Sequence, residues 1–173
     1  MTKKYSYILF TLLISVLFLF LSFSSEALKG KRSSDGRYLD NGDGTITDTK
    51  TNLMWTKKDS YADTGSCMDW NNSQSYVSSL STGGHTDWRL PTVKELKTIF
   101  EKSKSNNMAF DHDSRFPLYL DSIFADGAAY GYWSSESLTT GSSHARVLRF
   151  NIGDVYDVRR DFCSYEGVRA VRR

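Results

Sequence analysis

The sequence predicts an α+β domain in which strands open and close the chain and two helices lie between them. Short segments of alternating apolar and polar residues, separated by Gly- and Asn-containing turns, occupy residues 37–56. Two segments with apolar residues at helical spacing follow between residues 69 and 100, and alternating segments return between residues 130 and 173. We therefore expect two helices packed on mainly antiparallel strands, with the N- and C-terminal strands close together.

The first 27 residues have the composition of an export signal. Lys3 and Lys4 precede an uncharged apolar run over residues 5–23, and small residues follow up to Ala27. The run is also close to the ~20 residues that cross a membrane. The interpretation is a signal peptide over residues 1–27, or an uncleaved anchor that contacts the membrane through residues 5–23. Either predicts an exported protein of the periplasm, the cell surface or the secreted fraction.

The rest of the chain divides into a short linker and one domain. Residues 28–36 are polar and basic and read as a linker, and residues 37–173 are long enough to enclose one core. The formal net charge of the chain is only +2, so a charged binding surface has to be local. Export also argues against nucleic acid as a partner.

The chain has two cysteines, Cys67 and Cys163. In an exported protein the simplest prediction is one disulfide between them. The alternative is a metal site built on two thiolates, although neither a Cys-x-x-Cys spacing nor an adjacent His supports it.

The N-terminal strands are predicted over residues 37–40, 45–48 and 53–56, joined by turns rich in Gly and Asn. Residues 57–66 read as a polar loop.

Both predicted helices have marked starts. Asp69 is a suitable N-cap for a helix that begins at Trp70, and Gly83-Gly84 is expected to end it. Thr92 and Glu95 have the spacing of a capping box, and an apolar face follows as far as residue 100.

The last third is predicted to consist of strands. Alternation marks residues 130–135, 145–150, 155–159 and 167–172 as strands. In the closing strand, its apolar residues are expected to face inward and its arginines outward.

Two acidic segments are candidates for metal sites. Asp40, Asp43 and Asp48 lack the alternating oxygen ligands and the terminal acid of a calcium loop, so a hairpin turn explains them better. Asp111-His112-Asp113 reads as a solvated loop, because neighbouring side chains seldom point at one ion. We expect no bound metal and no cofactor.

In their order along the chain, five motifs closely resemble the Lcl C-terminal domain family of bacteria, which is named after a collagen-like adhesin. They are Asp40-Asn41-Gly42-Asp43-Gly44-Thr45-Ile46-Thr47-Asp48, Leu53-Met54-Trp55, Gly84-His85-Thr86-Asp87-Trp88-Arg89-Leu90-Pro91-Thr92, Tyr132-Trp133-Ser134-Ser135 and Val168-Arg169-Ala170-Val171-Arg172. The structural signature within and beside them comprises Trp55, Asp87, Trp88, Arg89, Pro91, Glu95 and Trp133. The resemblance covers residues 37–173.

The resemblance implies a C-type lectin-like fold, in which a disulfide joins the first helix to the C-terminal strands. It also implies an adhesin-like role, with binding to sulfated polysaccharides and assembly into a homo-oligomer. The Pro-centred acidic triplet of calcium-dependent lectins is missing, since Pro91 and Pro117 are flanked by Leu90, Thr92, Phe116 and Leu118. The copper-binding cysteine pair of the related sulfatase-activating enzymes is also missing if both cysteines form a disulfide. We therefore expect no enzyme activity and no catalytic residue.

The C-terminal third is rich in arginine, whose planar guanidinium binds sulfate or carboxylate with two hydrogen bonds. The candidate ligand-binding residues form a predicted basic stripe of Arg146, Arg149, Arg159, Arg160, Arg169 and Arg172. The alternative is that each arginine is a solvated or ion-paired strand residue. Tyr130, Tyr132 and Tyr156 are candidates for stacking on sugar rings, or else core residues.

The leading hypothesis is an exported, non-catalytic binding module for an anionic polysaccharide, sulfated or acidic, or for another envelope ligand. The alternative is a periplasmic or surface protein-interaction or structural domain that binds an envelope protein and no sugar.

Overall fold

The computed structural model of the chain describes residues 30–139 and 141–173. The predicted signal peptide, its cleavage after Ala27 and the alternative anchor over residues 5–23 lie outside the described residues. In the part of the chain that the structure describes, no helix is long and apolar enough to cross a membrane.

Along the described residues, three helices lie between N-terminal and C-terminal strands, as expected for an α+β fold. The helices are α1 (Ser60–Thr64), α2 (Trp70–Ser79) and α3 (Val93–Ile99). The strands are β1 (Lys31–Arg32), β2 (Tyr38–Asp40), β3 (Thr45–Asp48), β4 (Leu53–Thr56), β5 (Ser105–Asn106), β6 (Leu118–Tyr119), β7 (Gly131–Ser137), β8 (His144–Arg149), β9 (Val155–Arg159), β10 (Glu166–Gly167) and β11 (Val171–Arg172).

The N-terminal strands form an antiparallel sheet that the C terminus completes. Its strand order is β1-β2-β3-β4-β11, so both ends of the domain lie in one sheet. The N- and C-terminal strands therefore lie close together, as predicted, and the closing strand pairs with β4 rather than with the first strand of the sheet. The meander leaves β4 with a free edge, and β11 pairs there through Val171 and Trp55, whereas β1 covers the outer edge of β2.

The linker predicted over residues 28–36 contributes to this sheet. Lys31 and Arg32 pair with Asp40 and Leu39, so the sheet begins before residue 37. Both side chains of β1 are exposed, which explains why the segment has the composition of a linker.

The C-terminal strands form a second sheet, with strand order β10-β7-β8-β9. β7, β8 and β9 pair antiparallel, whereas β10 pairs with β7 in parallel. The pairing of β7 with β8 is interrupted between Trp133 and Ser137, and Ser135 N–H instead donates to the carbonyl of Pro91. This irregularity attaches the second sheet to the chain entering α3. A third, short sheet pairs β5 with β6.

The second sheet separates two hydrophobic clusters because side chains of a strand alternate between its faces. Tyr132 and Leu148 pair across β7 and β8 and belong to the larger cluster, which also contains Trp55 and Leu96. The neighbouring pair of Trp133 and Val147 belongs to the smaller cluster, with Val77, Trp88 and Val168. The signature residues Trp55, Trp88 and Trp133 are therefore core residues.

The predicted start of α3 is confirmed in detail. Thr92 Oγ1 accepts from Glu95 N–H at 3.1 Å, and Glu95 Oε2 accepts from Thr92 N–H at 2.8 Å, which completes the capping box. The Arg89 guanidinium binds both Glu95 oxygens, at 2.8 and 2.6 Å. Signature residues Arg89 and Glu95 thus fix the angle at which the chain enters the helix.

Two predictions about helices need correction. The segment predicted as a loop over residues 57–66 contains α1, which Asp59 caps by accepting from Ala62 N–H at 2.8 Å. Five residues are too few to show apolar periodicity. In addition, α2 ends at Ser79 with an extended Leu80, before Gly83-Gly84, which belongs to a separate 3₁₀ turn.

The predicted disulfide between Cys67 and Cys163 is present, with a Cα–Cα distance of 5.8 Å. It joins the residues before α2 to the segment between β9 and β10. The chain therefore uses both cysteines in a covalent link between its two halves.

Candidate functional site

The six arginines of the predicted basic stripe do not share a surface. Arg169 is fully buried, so the expectation that it points outward is wrong. Its guanidinium donates to the carbonyls of Thr56 and Lys57 and to the hydroxyl of Tyr132, and it pairs with the equally buried Asp59 at 3.4 Å. Arg169 is a core residue, because the segment around it is covered on every side.

Arg146 and Arg159 lie on one face of the β8–β9 hairpin, and each is paired with acids. Arg146 is directly opposite Asp157 in the register and also contacts Glu136 at 3.2 Å. Arg159 pairs with Asp161 at 2.7 Å, on an exposed surface. The acidic partners neutralise this face, so it offers no net attraction for a polyanion.

Arg160 and Arg172 lie elsewhere. The guanidinium of Arg160 stacks 4.2 Å from the ring centroid of Trp70 at the start of α2. Arg172 reaches the signature residue Asp87 at 2.6 Å, on the edge of the first sheet. Each of these two arginines therefore connects separate elements of the fold. This agrees with the alternative to a basic stripe, in which the arginines are individually paired or packed strand residues.

Of these six arginines, Arg149 lines a cleft with exposed aromatic rings. Its position in β8 is three residues from Arg146, and the alternation of a strand places the two on opposite faces. The cleft has a volume of about 260 Å³. Its lining residues, which define what we call the Tyr165 cleft, are Asp111, Asp113, Phe116, Tyr130, Arg149, Asn151 and Tyr165.

Three rings form the apolar part of the Tyr165 cleft. The rings of Phe116 and Tyr165 are each nearly perpendicular to that of Tyr130, at 87° and 83°, with centroids 6.4 and 6.2 Å away. Phe116 and Tyr165 are 48% and 47% exposed, whereas Tyr130 is buried. The three rings therefore offer two accessible walls around a fixed central ring.

Two carboxylates flank the rings on one side. Asp111 Oδ1 accepts from the hydroxyl of Tyr130 at 2.7 Å and from Asp113 N–H at 3.2 Å. Asp113 binds the guanidinium of Arg115, and this hydrogen bond lowers the pKa of Asp113 to about 2. Burial and the bond to Asp111 raise the pKa of Tyr130, so its hydroxyl remains a donor at neutral pH. These contacts hold the loop in one shape.

Arg149 and Asn151 also line the cleft, and their side chains make few hydrogen bonds to the described residues. Within the described residues, the Arg149 side chain makes one hydrogen bond, to Glu166 at 3.0 Å, and its buried Nε has no partner. The Asn151 side chain makes no hydrogen bond to described residues, and its Oδ1 is enclosed without a partner. Buried polar atoms without a protein partner are uncommon in folded proteins, and an ordered water often satisfies them.

Glu166 positions two members of the cleft. This buried carboxylate binds Arg149 through one oxygen and accepts from the N–H groups of Ser164 and Tyr165 through the other. The disulfide at Cys163 lies just before these residues. The wall formed by Tyr165 is therefore fixed by a hydrogen-bonded carboxylate and by a covalent link.

Sequence reasoning identified part of this site. Arg149 and Tyr130 were candidates, but Tyr132 is fully buried, and Tyr156 lies outside the lining, where it is exposed and its ring centroid is 5.6 Å from the Arg149 guanidinium. The 111–113 loop was predicted to be solvated, and Asn151 and Tyr165 were not singled out. Asn151 lies in the turn after β8, and Tyr165 lies two residues after Cys163. Neither position has a sequence pattern that indicates a binding site, because only the fold brings the two residues together.

The side chains of the 111–113 loop, which was expected to be solvated, have different partners. His112 contacts Asp126 at 2.9 Å, while Asp113 engages Arg115. Over the described ranges, no group of three or more His, Cys, Asp and Glu side chains is arranged to hold a metal ion.

Comparison with known proteins identifies one family. The family model described as the Lcl C-terminal domain matches residues 44–172. The matched range includes both cysteines and every residue that lines the Tyr165 cleft. No curated protein matches the chain, and no solved structure matches it. The family predicted from the motifs is confirmed.

Proposed function

The chain belongs to the Lcl C-terminal domain family, and from this premise we propose that it is an exported, non-catalytic, adhesin-like module that binds a polysaccharide in the Tyr165 cleft. The single observation that carries the proposal is the combination of exposed rings with flanking polar groups in one concave site. Aromatic rings stack on the apolar faces of sugar rings, while carboxylate, amide and guanidinium groups bind hydroxyls.

The cleft is of a size to hold one sugar ring of a polysaccharide rather than a drug-sized molecule. Its volume of about 260 Å³ lies below the ~300–1,000 Å³ typical of pockets for drug-sized molecules. One sugar ring between Phe116 and Tyr165 would occupy it, and the neighbouring units would extend into solvent. Affinity for a polymer then comes from repeated weak contacts, as expected for adhesion.

The preference for an anionic polysaccharide now rests on Arg149. Its guanidinium is partly exposed and makes one hydrogen bond among the described residues, to Glu166, so it retains other donors for an acidic group of the ligand. The acids Asp111 and Asp113, which also line the cleft, oppose a densely charged chain. We propose an acidic polysaccharide of moderate charge density, with the charged group directed toward Arg149.

The proposal includes the C-type lectin-like fold and an extracellular or periplasmic location. The long-range disulfide and the closing strand in the N-terminal sheet are features that support this fold. The disulfide is also consistent with an oxidising compartment outside the cytoplasm.

A glycan array with two aromatic variants tests the polysaccharide proposal. Tyr165→Ala removes one wall of the cleft, and Phe162→Ala is the matched control, because Phe162 is 55% exposed but does not line the cleft. We expect binding of the unaltered protein to uronic-acid or sulfated glycans, a loss of about tenfold or more in Tyr165→Ala, and no loss in Phe162→Ala. Arrays at low and high salt measure the charged contribution.

Two results would contradict the proposal. Absence of binding to every acidic and neutral glycan would exclude polysaccharide as the ligand. Equal losses in both variants would show that binding occurs outside the Tyr165 cleft.

A protein-interaction role is the second candidate, and the edge of the second sheet favours it. β9 has a free edge, and Val155 and Tyr156 are exposed there beside Ile152. Exposed apolar side chains on an edge strand are suited to pairing with an extended partner. Crosslinking followed by purification would favour this role if one envelope protein recurred and glycans did not.

A further inference from the structure

We infer that a second pocket, which shares no lining residue with the Tyr165 cleft, binds a free α-amino acid with an apolar side chain. The inference concerns a ligand other than polysaccharide and does not rest on the proposed function. The pocket has a volume of about 290 Å³. Six of the residues around it define what we call the Tyr76 pocket: Lys58, Asp63, Tyr76, Leu80, Thr82 and Ala125.

Backbone contacts hold the walls of the Tyr76 pocket together. Lys57 N–H donates to the carbonyl of Gly44 at 2.8 Å, and Ala125 N–H donates to the carbonyl of Lys57 at 3.0 Å. The turns that contain Gly44 and Gly83 are also in close contact, because a Cβ at Gly83 would lie only 2.6 Å from Cγ2 of Thr45. This side of the pocket is therefore closely packed, and the pocket exists before a ligand binds.

The inner surface of the Tyr76 pocket is mostly apolar. Tyr76 lies in α2 and Leu80 directly follows this helix, and both side chains are half-buried against the smaller hydrophobic cluster. The methyl group of Ala125 adds to the same lining. An apolar side chain that enters this space leaves water, which favours its binding.

Two charged groups at the pocket have no ion-pair partner within the part of the chain that the structure describes. Lys58 makes no side-chain contact with an acid there, whereas the neighbouring Lys57 pairs with Asp40 at 2.6 Å. Asp63 accepts a hydrogen bond from the hydroxyl of Tyr76 at 3.2 Å and contacts no base among these residues. Lys58 and Asp63 are both exposed, so a ligand reaches them without a rearrangement of the fold.

An amino acid complements these two charges. Its ammonium and its carboxylate lie on one carbon, so the ammonium binds Asp63 while the carboxylate binds Lys58 through charge-assisted hydrogen bonds. The Tyr76 hydroxyl occupies Oδ2 of Asp63, and Oδ1 accepts no hydrogen bond from the described residues. Burial and the nearby Asp63 raise the pKa of Tyr76, so its hydroxyl remains a donor at neutral pH.

Other ligand chemistries fit the Tyr76 pocket less well. An internal peptide segment has neither a free ammonium nor a free carboxylate on its backbone, so Lys58 and Asp63 gain no charged partner from it. A fatty acid pairs with Lys58, but it brings a second carboxylate close to Asp63. A neutral sugar leaves both charges unpaired and places hydroxyls against the apolar lining, where they lose hydration.

The test compares L-leucine with three analogues in NMR titrations of the purified protein. N-acetyl-L-leucine lacks the ammonium, L-leucinamide lacks the carboxylate and glycine lacks the side chain. We expect leucine to bind and each analogue to bind at least about tenfold more weakly, because each loses one of the three contacts. Leucine should shift the backbone amide signals of Gly44, Thr82 and Ala125 and leave that of Tyr165 in place.

Two variants assign the charged contacts. Lys58→Gln should weaken leucine about tenfold and leave leucinamide unchanged, because leucinamide has no carboxylate to lose. Asp63→Asn should weaken leucine to a similar extent and leave N-acetyl-leucine unchanged. Lys50→Gln and Asp154→Asn are the matched controls, since both residues are exposed and lie outside the pocket lining, and both variants should bind leucine normally.

Three results would overturn the inference. The first is an absence of binding by leucine, valine, methionine and phenylalanine. The second is equal affinity for leucine and either of its charge-deficient analogues, which excludes recognition of a zwitterion. The third is loss of leucine binding in Tyr165→Ala, which places the ligand in the other cleft. The analogue series uses the unaltered protein, so it decides the question whether or not every variant folds.

Discussion

At the scale of single residues, the same amino acid has opposite roles in this protein. Arg169 is enclosed with Asp59 and contacts the rings of Phe124 and Tyr132, at 4.6 and 5.1 Å from their centroids. Arg159 and Asp161 make a shorter ion pair, but both side chains are more than 60% exposed. Solvent screens the exposed pair, whereas removal of one partner from the buried pair leaves a charge without compensation.

We predict that Arg169→Met lowers the free energy of unfolding by about 3–5 kcal/mol, because it leaves Asp59 buried and unpaired. Urea denaturation at pH 7 measures the change. The control is Arg159→Met, which removes an exposed pair and should leave the midpoint essentially where it is. Similar midpoints for the two variants would show that the buried pair is no more important than the surface pair.

At the scale of secondary structure elements, the start of α3 depends on one carboxylate. Glu95 accepts from Thr92 N–H, binds Arg89 and lies near the positive end of the helix dipole. The hydrogen bond from Arg89 lowers the pKa of Glu95 to about 2. Since an unfolded Glu titrates at about 4.3, the folded state favours the ionised carboxylate, and its contribution is present above that pH.

We predict that Glu95→Gln destabilises the domain at pH 7 and that the difference from the unaltered protein shrinks as pH falls. Protonation removes the contribution of Glu95 as pH drops through the window from about 5 to 2, because the folded-state pKa is about 2. Urea denaturation at several pH values measures the difference. Lys94→Gln is the control, because lysine does not titrate in this window and its effect should not vary in the same way. A Glu95→Gln difference that is constant with pH would contradict the assignment.

The capping hydroxyl gives a second prediction at this scale. Thr92→Ala removes the acceptor for Glu95 N–H and should cost about 1 kcal/mol, whereas Thr92→Ser retains the hydroxyl and should cost much less. The two midpoints in urea, measured at pH 7, test this. If Ala and Ser gave the same loss, the methyl group of Thr92 rather than its cap would be responsible.

At the scale of the whole molecule, two sheets and one disulfide bring distant segments into a single site. Asp111, Tyr130 and Tyr165 span more than fifty residues of the sequence, yet they line one cleft. The bond between Cys67 and Cys163, 96 residues apart, closes a loop that contains most of the domain. It also fixes the segment that holds Tyr165 against Glu166.

We predict that the double variant Cys67→Ala, Cys163→Ala loses up to about 4–5 kcal/mol of stability, as the chain-entropy model gives for a loop of this length. Urea denaturation with and without a reductant measures the loss. Reductant should destabilise the unaltered protein and have no effect on the double variant. An unaltered protein insensitive to reductant under denaturing conditions would contradict a structural role for this bond.

The sequence by itself determined the features that depend on neighbouring residues. The capping box of Thr92 and Glu95 is readable because its partners are three residues apart. The N-cap at Asp69, the N-terminal meander and the family were predictable for the same reason, since each signal lies within a few residues. The disulfide was predictable because a chain with two cysteines has only one possible pairing.

Only the tertiary structure decided which arginines are accessible and which residues form the cleft. Alternation predicts an outward face only where one side of a strand meets water, but residues 166–171 are buried without interruption, so Arg169 has no outward face to occupy. The pairing of β11 with β4 and the approach of Asn151 to Phe116 depend on contacts between distant segments. Such contacts depend on how the two sheets pack, and short-range sequence patterns do not predict them.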